Sequence, residues 1–286
     1  MIYRIIEKPT GVKNTTPIVE IESSTIKDFC YVDDLGILFV YDQCIGLIPL
    51  KGDPVVPWRG EEGTIRKEWH ESYFNDPCSI TYNPYTRNLY VIEKGGSRIR
   101  ELEDLSSGVD FIKGEDGKTI DVLFSKVNAI GSARSVLRGQ RDLIWIAPDI
   151  HRCLIHTDSM ISIFAGDGRG RYAVANSPIE CSFHTPSDIL SINQDILIAD
   201  LDNFCVRRIN DNGVTLFCGN PSRPDLHPRR MALKDNIIYV LSGNEIKSFP
   251  MVQNRHSSTG STIYESENIV DLTAGKKGLL ILEVVK

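Results

Sequence analysis

The sequence predicts an all-β fold: six four-stranded antiparallel sheets closed into a ring by the chain's own ends. Three observations carry this reading. An Ile-, Leu- and Val-rich run recurs six times, starting at Ile37, Leu89, Leu143, Ile196, Ile237 and Leu279. Turn-rich segments and further short apolar runs flank each copy, so one unit holds four strands. Two runs near the C-terminus, Ile269–Thr273 and Leu279–Val285, match two at the N-terminus, Met1–Ile6 and Ile18–Ile21. Together they complete one sheet shared by both termini. A ring closed in this way is a β-propeller, here six-bladed, with its function in the loops on its faces.

Each element has its own justification. The six anchor runs (ILFVYD, LYVIEK, LIWIAPD, ILIAD, IIYVLSG and LLILE) are short and rich in β-branched residues. Their length favours strands over helix segments, and no stretch shows helical periodicity. Before each anchor comes a run such as FCYV, CSITYN or SDILSI, ended by an Asp-, Asn- or Gly-rich turn at 32–36, 83–88, 193–195 or 274–278. After it come a third strand (CIGLIPL, SRIRELE, HRCLIH, FCVRRI, EIKSFP) and a fourth (VDFI, MISIFAG, VTLFCG). One such sheet cannot bury both faces alone, and stacking in a ring buries them. The expected blades are residues 26–60, 74–113, 124–166, 183–219, 229–265, and 268–286 joined to 1–22, forming one domain over 1–286.

The stretch from Phe164 to Ile209 carries a family resemblance. It holds Gly166-Asp167-Gly168, Phe183, Pro186, Ile198-Ala199-Asp200, Asn203, Arg207 and Arg208. This order resembles the NHL repeat. A second copy keeps Phe74, Pro77, Leu89-Tyr90-Val91, Arg98 and Arg100, with V-I-E in place of I-A-D and Gly96 where Asn belongs. A third keeps Gly114, Phe124 and Ile146-Ala147, and the other three keep only the strand pattern. The resemblance implies a six-bladed NHL-type propeller. It also implies a structural role for the signature residues Asp200, Asn203, Arg207 and Arg100, in which a strand-end Asp or Asn caps a turn and an Arg pairs with the carboxylate.

Composition excludes several classes. The chain has 286 residues and a formal charge of −6. No apolar run approaches the ~20 residues needed to span a bilayer. The start, MIYRIIEKP, lacks the apolar core and cleavage site of a secretory leader. Seven cysteines, none in a C-x-x-C pair, read as buried free thiols of a reducing compartment. The expectation is a cytoplasmic protein, in the host cytosol if viral, with no membrane contact and no cofactor.

The long connections between units, at 59–73, 113–123 and 166–182, share one face with the turns that follow the anchors. RNA binding needs a basic stripe there. The net charges of 58–73, 113–124, 166–184 and 219–230 are −1, −1, 0 and +2, which disfavours RNA. The Gly166–Gly170 run has no helix after it, as a phosphate loop requires. Three histidines in separate connections, His70, His184 and His227, are the candidates for a metal-assisted lyase or lactonase at the channel mouth. His151 and His156 fall on opposite faces of one strand.

The favoured function is a non-enzymatic scaffold that binds a protein partner through this face. The proposed contacts are Trp58, Trp69, Arg169, Arg171, Tyr172 and Arg223, because Trp, Tyr and Arg dominate interface anchors. Such a stand-alone propeller suits a subunit of a larger assembly, a virion included. The sequence leaves open a small molecule in the channel.

Overall fold

A computed structural model describes residues 1–22, 25–33, 35–51, 55–59, 74, 76–93, 98–102, 109–111, 135–138, 142–157, 160–251 and 260–285. The chain is an all-β propeller of four-stranded antiparallel blades. Strands β1 (Ile2–Pro9) and β2 (Thr16–Glu22) open the chain. The first sheet follows as β3 (Ile26–Val32), β4 (Gly36–Tyr41), β5 (Cys44–Pro49) and β6 (Val55–Arg59). The second is β7 (Pro77–Tyr82), β8 (Leu89–Glu93), β9 (Arg98–Leu102) and β10 (Val109–Phe111). The third is β11 (Ser135–Arg138), β12 (Asp142–Ala147), β13 (Arg152–Thr157) and β14 (Met160–Ala165). The fourth is β15 (Pro186–Ile192), β16 (Asp195–Asp200), β17 (Cys205–Asn210) and β18 (Gly213–Gly219). The fifth is β19 (Pro228–Lys234), β20 (Ile237–Ser242), β21 (Glu245–Pro250) and β22 (Ser261–Glu265). Strands β23 (Ile269–Ala274) and β24 (Gly278–Val285) pair with β1 and β2 in the order β2-β1-β24-β23.

The described residues thus hydrogen-bond into six four-stranded sheets. Counted as regular blades they number five, which corrects the six expected from the repeat. Among the described residues no helix is long and apolar enough to cross a membrane.

The anchor runs form the second strand of each sheet, and their composition follows from their place. Every residue of β4 and β8 is buried, because both faces meet a neighbouring sheet. The core therefore lies between sheets rather than within one. Val40, Ile45 and Phe74 of the first unit and its connection pack on Ile80 and Val91 of the second. Ile144 and Ile155 pack on Ile189 and Ile198, and Leu197 and Val206 on Met231 and Val240. Trp145 is fully buried.

Antiparallel topology sets two faces. Connections between sheets and the turns joining second to third strands lie on one, here called upper. The other turns lie on the lower face. Gly166 and Gly219 each end an outer strand at a φ near +98° and +85°, where a Cβ would strike the backbone carbonyl of His151 or Phe204. Gly219→Ala is expected to cost about 1–3 kcal/mol in urea unfolding. An unchanged midpoint would count against this turn's role.

Candidate functional site

The upper face is best defined at the 166–182 connection, which enters the fourth sheet. Its base is a buried polar network. Asp200 ends β16 and is fully buried. Its Oδ1 accepts the His184 N–H at 2.7 Å, and its Oδ2 accepts the Asn203 Nδ2–H at 2.8 Å and Arg207 Nη1 at 3.3 Å. Burial pushes its carboxyl up to about 6, against the pull of Asn203, the His184 N–H and Arg207.

Arg207, on β17, is also fully buried. It donates to the carbonyls of Ser182 at 3.2 Å and Ala173 at 2.8 Å. The guanidinium carbon stands 4.6 Å from the Tyr172 ring centroid and 5.6 Å from that of Phe183. Asn203 Nδ2 donates to the Arg171 carbonyl at 3.1 Å. The signature residues therefore hold the connection by its backbone. Neighbouring Arg208 instead pairs with Asp195. Glu93, which ends β8 as Asp200 ends β16, is fully buried as well.

What the connection displays is different in character. Arg169 and Arg171 are 73% and 53% exposed. Val174, Ile179 and Tyr172 are 59%, 55% and 37% exposed. Burial pushes the Asp167 carboxyl up, but the Arg169 N–H, the Ser182 hydroxyl and the Arg171 guanidinium together hold it below its ordinary value. Arg223 is exposed in the turn between the fourth and fifth sheets, where its N–H donates to the Asn220 carbonyl at 2.9 Å. Trp58 lies on β6, Arg100 on β9, and their side chains are outside the described residues. Trp69 and His70 are outside them entirely.

The histidines group differently from the sequence expectation. His184 stands beside His151, with ring centroids 5.8 Å apart. His227 lies edge-on to Phe204 at 5.0 Å. The His151 Nδ1 accepts the Thr185 N–H at 3.3 Å, and the Thr185 hydroxyl donates to Asp202 at 2.5 Å. The His184 Nε2 lies 3.9 Å from the same Asp202 oxygen. Thr185 has a φ of 54°, rare for a β-branched residue, and Asp76, likewise just before a first-strand proline, has a φ of 51°. Among the described residues no three ligating side chains are placed to hold a metal ion.

The channel carries a second constellation that the sequence reading missed. Asp28, Asp188 and Asp271 occupy the same bulged position on β3, β15 and β23. Asp28 accepts the N–H of Phe29 at 2.9 Å and that of Ile80, one sheet further on, at 2.9 Å. Asp188 likewise accepts the Met231 N–H at 2.5 Å. Asp271 accepts the Leu272 N–H at 2.8 Å and lies 3.3 Å from Arg230 Nε. These carboxylates stitch the first strands of neighbouring sheets around the axis. The signal was present as the repeated K-D-F, S-D-I and V-D-L ahead of three anchors.

No protein-family model matches the chain, and no curated protein sequence matches it. Solved structures do match in fold. A catalytically inactive virginiamycin B lyase from Staphylococcus aureus, with quinupristin, aligns over 99% of this chain and 100% of its own, at 14% identity and a TM-score of 0.60. An auxiliary nutrient binding protein from Bacteroides ovatus aligns over 79% of this chain at 12% identity and a TM-score of 0.59, and the chain spans 58% of its length. A nidogen/laminin complex aligns over 87% of this chain and 89% of its own, at 10% identity and a TM-score of 0.54. At such identities the likeness is one of fold, a β-propeller.

Proposed function

We propose that this chain is a non-enzymatic scaffold, an NHL-type propeller whose upper face grips a partner protein. One observation carries the reading. The 166–182 connection is fixed from below by Arg207 and Asn203, yet it displays two arginines, a tyrosine, a valine and an isoleucine to solvent. A surface already held in place loses little conformational freedom on binding, and exposed Arg and Tyr are the usual anchors. The NHL assignment is supported by Asp200, Asn203 and Arg207 meeting in one buried network. Seven free cysteines support a reducing compartment such as the cytosol. Burial pushes the Cys181 and Cys205 thiols up to about 11 and about 12.

The test is affinity capture from the native source followed by light scattering of the complex. Arg171→Ala with Ile179→Ser is expected to lower affinity at least about 10-fold, or ~1.4 kcal/mol, with an unchanged melting temperature. Equal affinity for the double variant would sink the proposal.

A second reading rests on His151, His184 and Asp202 on the same face, an arrangement suited to proton transfer. Turnover of a lactone or ester probe that is lost in His184→Gln, with the melting temperature unchanged, would favour it over the scaffold.

A further inference from the structure

The sheet that joins the termini carries a site at its seam with the fifth sheet, independent of the scaffold reading. Three third strands end alike, as Ile48-Pro49, Phe249-Pro250 and Lys8-Pro9. Gly36 and Gly278 mark Ile48 and Lys8 as equivalent. A Cβ on Gly36 would strike the Ile48 carbonyl and the Pro49 Cα, and one on Gly278 the Lys8 carbonyl and the Pro9 Cα. Ile48 and Phe249 are buried against the sheet before their own. Lys8 takes the same place and is only 6% exposed. It lines a cavity of about 670 Å³. Small-molecule sites occupy roughly 300–1,000 Å³. We propose that this cavity binds an aliphatic carboxylate, with its head on the Lys8 ammonium and its chain between the two sheets.

Strand alternation sets Lys8 on this face. Along β1, Tyr3 and Ile5 pack toward the first sheet and Ile6 toward the fifth. Glu7 therefore turns to the first sheet, where it acts on Tyr31, and Lys8 to the fifth. The ammonium donates to the carbonyls of Val12 at 2.6 Å and Lys13 at 3.3 Å. Those oxygens satisfy two of its three N–H groups without neutralising its charge. Among the described residues no carboxylate pairs with it, and burial alone holds its amine below the ordinary lysine value. A buried charge is costly until an opposite charge meets it. Capping a turn does not require this burial. Lys234 donates to the Gly275 and Lys276 carbonyls at 3.0 and 2.9 Å from a half-buried position outside the cavity.

The rest of the wall selects the ligand. Lys13 is exposed at its edge, and among the described residues no aspartate or glutamate lines it. An anion meets two cations and no like charge there, whereas a cation would meet both lysines. Val12, Ile237, Tyr239, Ile263 and Leu279 supply apolar surface for a hydrocarbon chain. Two wall hydroxyls are already engaged. Ser248 donates to the Ser261 carbonyl at 3.2 Å, and Thr262 to Glu245 at 2.9 Å. Burial, with Asp235 nearby, pushes the Tyr239 phenol up, so it stays uncharged at neutral pH. One remaining N–H on a single buried ammonium suits a head of one negative charge.

The experiment is calorimetric titration of the full chain with decanoate, octanoate, octanol, octylammonium and acetate. The expected result is saturable one-to-one binding of decanoate, with octanoate held at least about 10-fold tighter than octanol or octylammonium. Decanoate binding weakens at least about 10-fold in Lys8→Met, which keeps an apolar stem in the seam, and in Lys13→Glu, which offers Lys8 a carboxylate of the chain's own. It is unchanged in Lys277→Gln on the neighbouring lower turn. Lys13 is exposed, so Lys13→Glu decides the question if Lys8→Met fails to fold. Four results would each overturn the proposal. They are no saturation by decanoate up to ~5 mM, octanol or octylammonium bound as tightly as octanoate, acetate bound as tightly as decanoate (an adventitious ion only), and decanoate binding undiminished in either variant that folds.

Discussion

A chain lacking residues 1–22 is expected to lose the cooperative fold altogether. Those residues supply two of the four strands in the sheet that joins the termini. Tyr3, Ile5, Ile6 and Ile21 are all buried. Tyr3, Ile5 and Ile21 share one core with Phe29 and Phe39 of the first sheet, and Ile6 shares another with Ala232 and Tyr239 of the fifth. Removing β1 therefore opens both neighbouring interfaces. At roughly 1.5–3 kcal/mol per fully buried apolar side chain, the four are worth about 6–12 kcal/mol. That is comparable with the ~5–15 kcal/mol of a whole domain. The deletion also bares the edge of β24 along Leu279–Val285, an invitation to aggregate. Near-ultraviolet dichroism and light scattering are expected to show no cooperative melt and a rising aggregate mass. A truncated monomer that melts within a few degrees of the intact chain would refute closure as the source of stability. A milder version is Gly278→Val, whose Cβ would fall on the Lys8 carbonyl and the Pro9 Cα across the seam. It is expected to cost about 1–3 kcal/mol.

Much of this architecture was legible because of how the anchors are buried. A strand covered on both faces must be apolar without interruption, so ILFVY and LYVI stand out of the sequence directly. The Asp200–Arg207 pairing was legible for a related reason. The β16–β17 hairpin sets Ile198 opposite Arg207, two residue pairs from the strand-end carboxylate and so on the same face of the sheet. The channel carboxylates were harder to find. Asp28, Asp188 and Asp271 each lie inside a first strand, and only the register between sheets reveals that Asp28 and Asp188 cap a neighbouring strand's N–H. The His151–His184 neighbourhood was hidden for the same cause. It joins a turn of the third sheet to the connection entering the fourth, and no spacing in the chain encodes that contact.

Arg207→Ala is expected to lower the unfolding free energy by about 3–5 kcal/mol, the usual result of removing one member of a buried pair. The variant strips Asp200 of its cation and leaves the Ser182 and Ala173 carbonyls without the guanidinium. Its pH dependence identifies the mechanism. The Asp200 carboxyl sits at about 6 in the folded chain, against an ordinary aspartate value of 3.8. The folded state thus holds this proton more tightly than the unfolded state. The stability it contributes is fully present below about 3.8 and is lost as pH rises through about 6. Without Arg207 the carboxyl rises further, so the loss extends to higher pH. The deficit of Arg207→Ala, read from urea midpoints, is therefore expected to be largest near pH ~8 and to shrink toward pH ~5. A deficit constant over that range would show that the arginine acts by packing on Tyr172 and Phe183 alone. The same variant separates scaffold from surface. If the displayed side chains bind because Arg207 holds their backbone, partner affinity falls in Arg207→Ala although Arg169, Arg171 and Ile179 are all still present, and amide exchange at Asp167 and Ser182 quickens with it. Affinity that survives while exchange quickens would mean that the connection binds without being held in place beforehand.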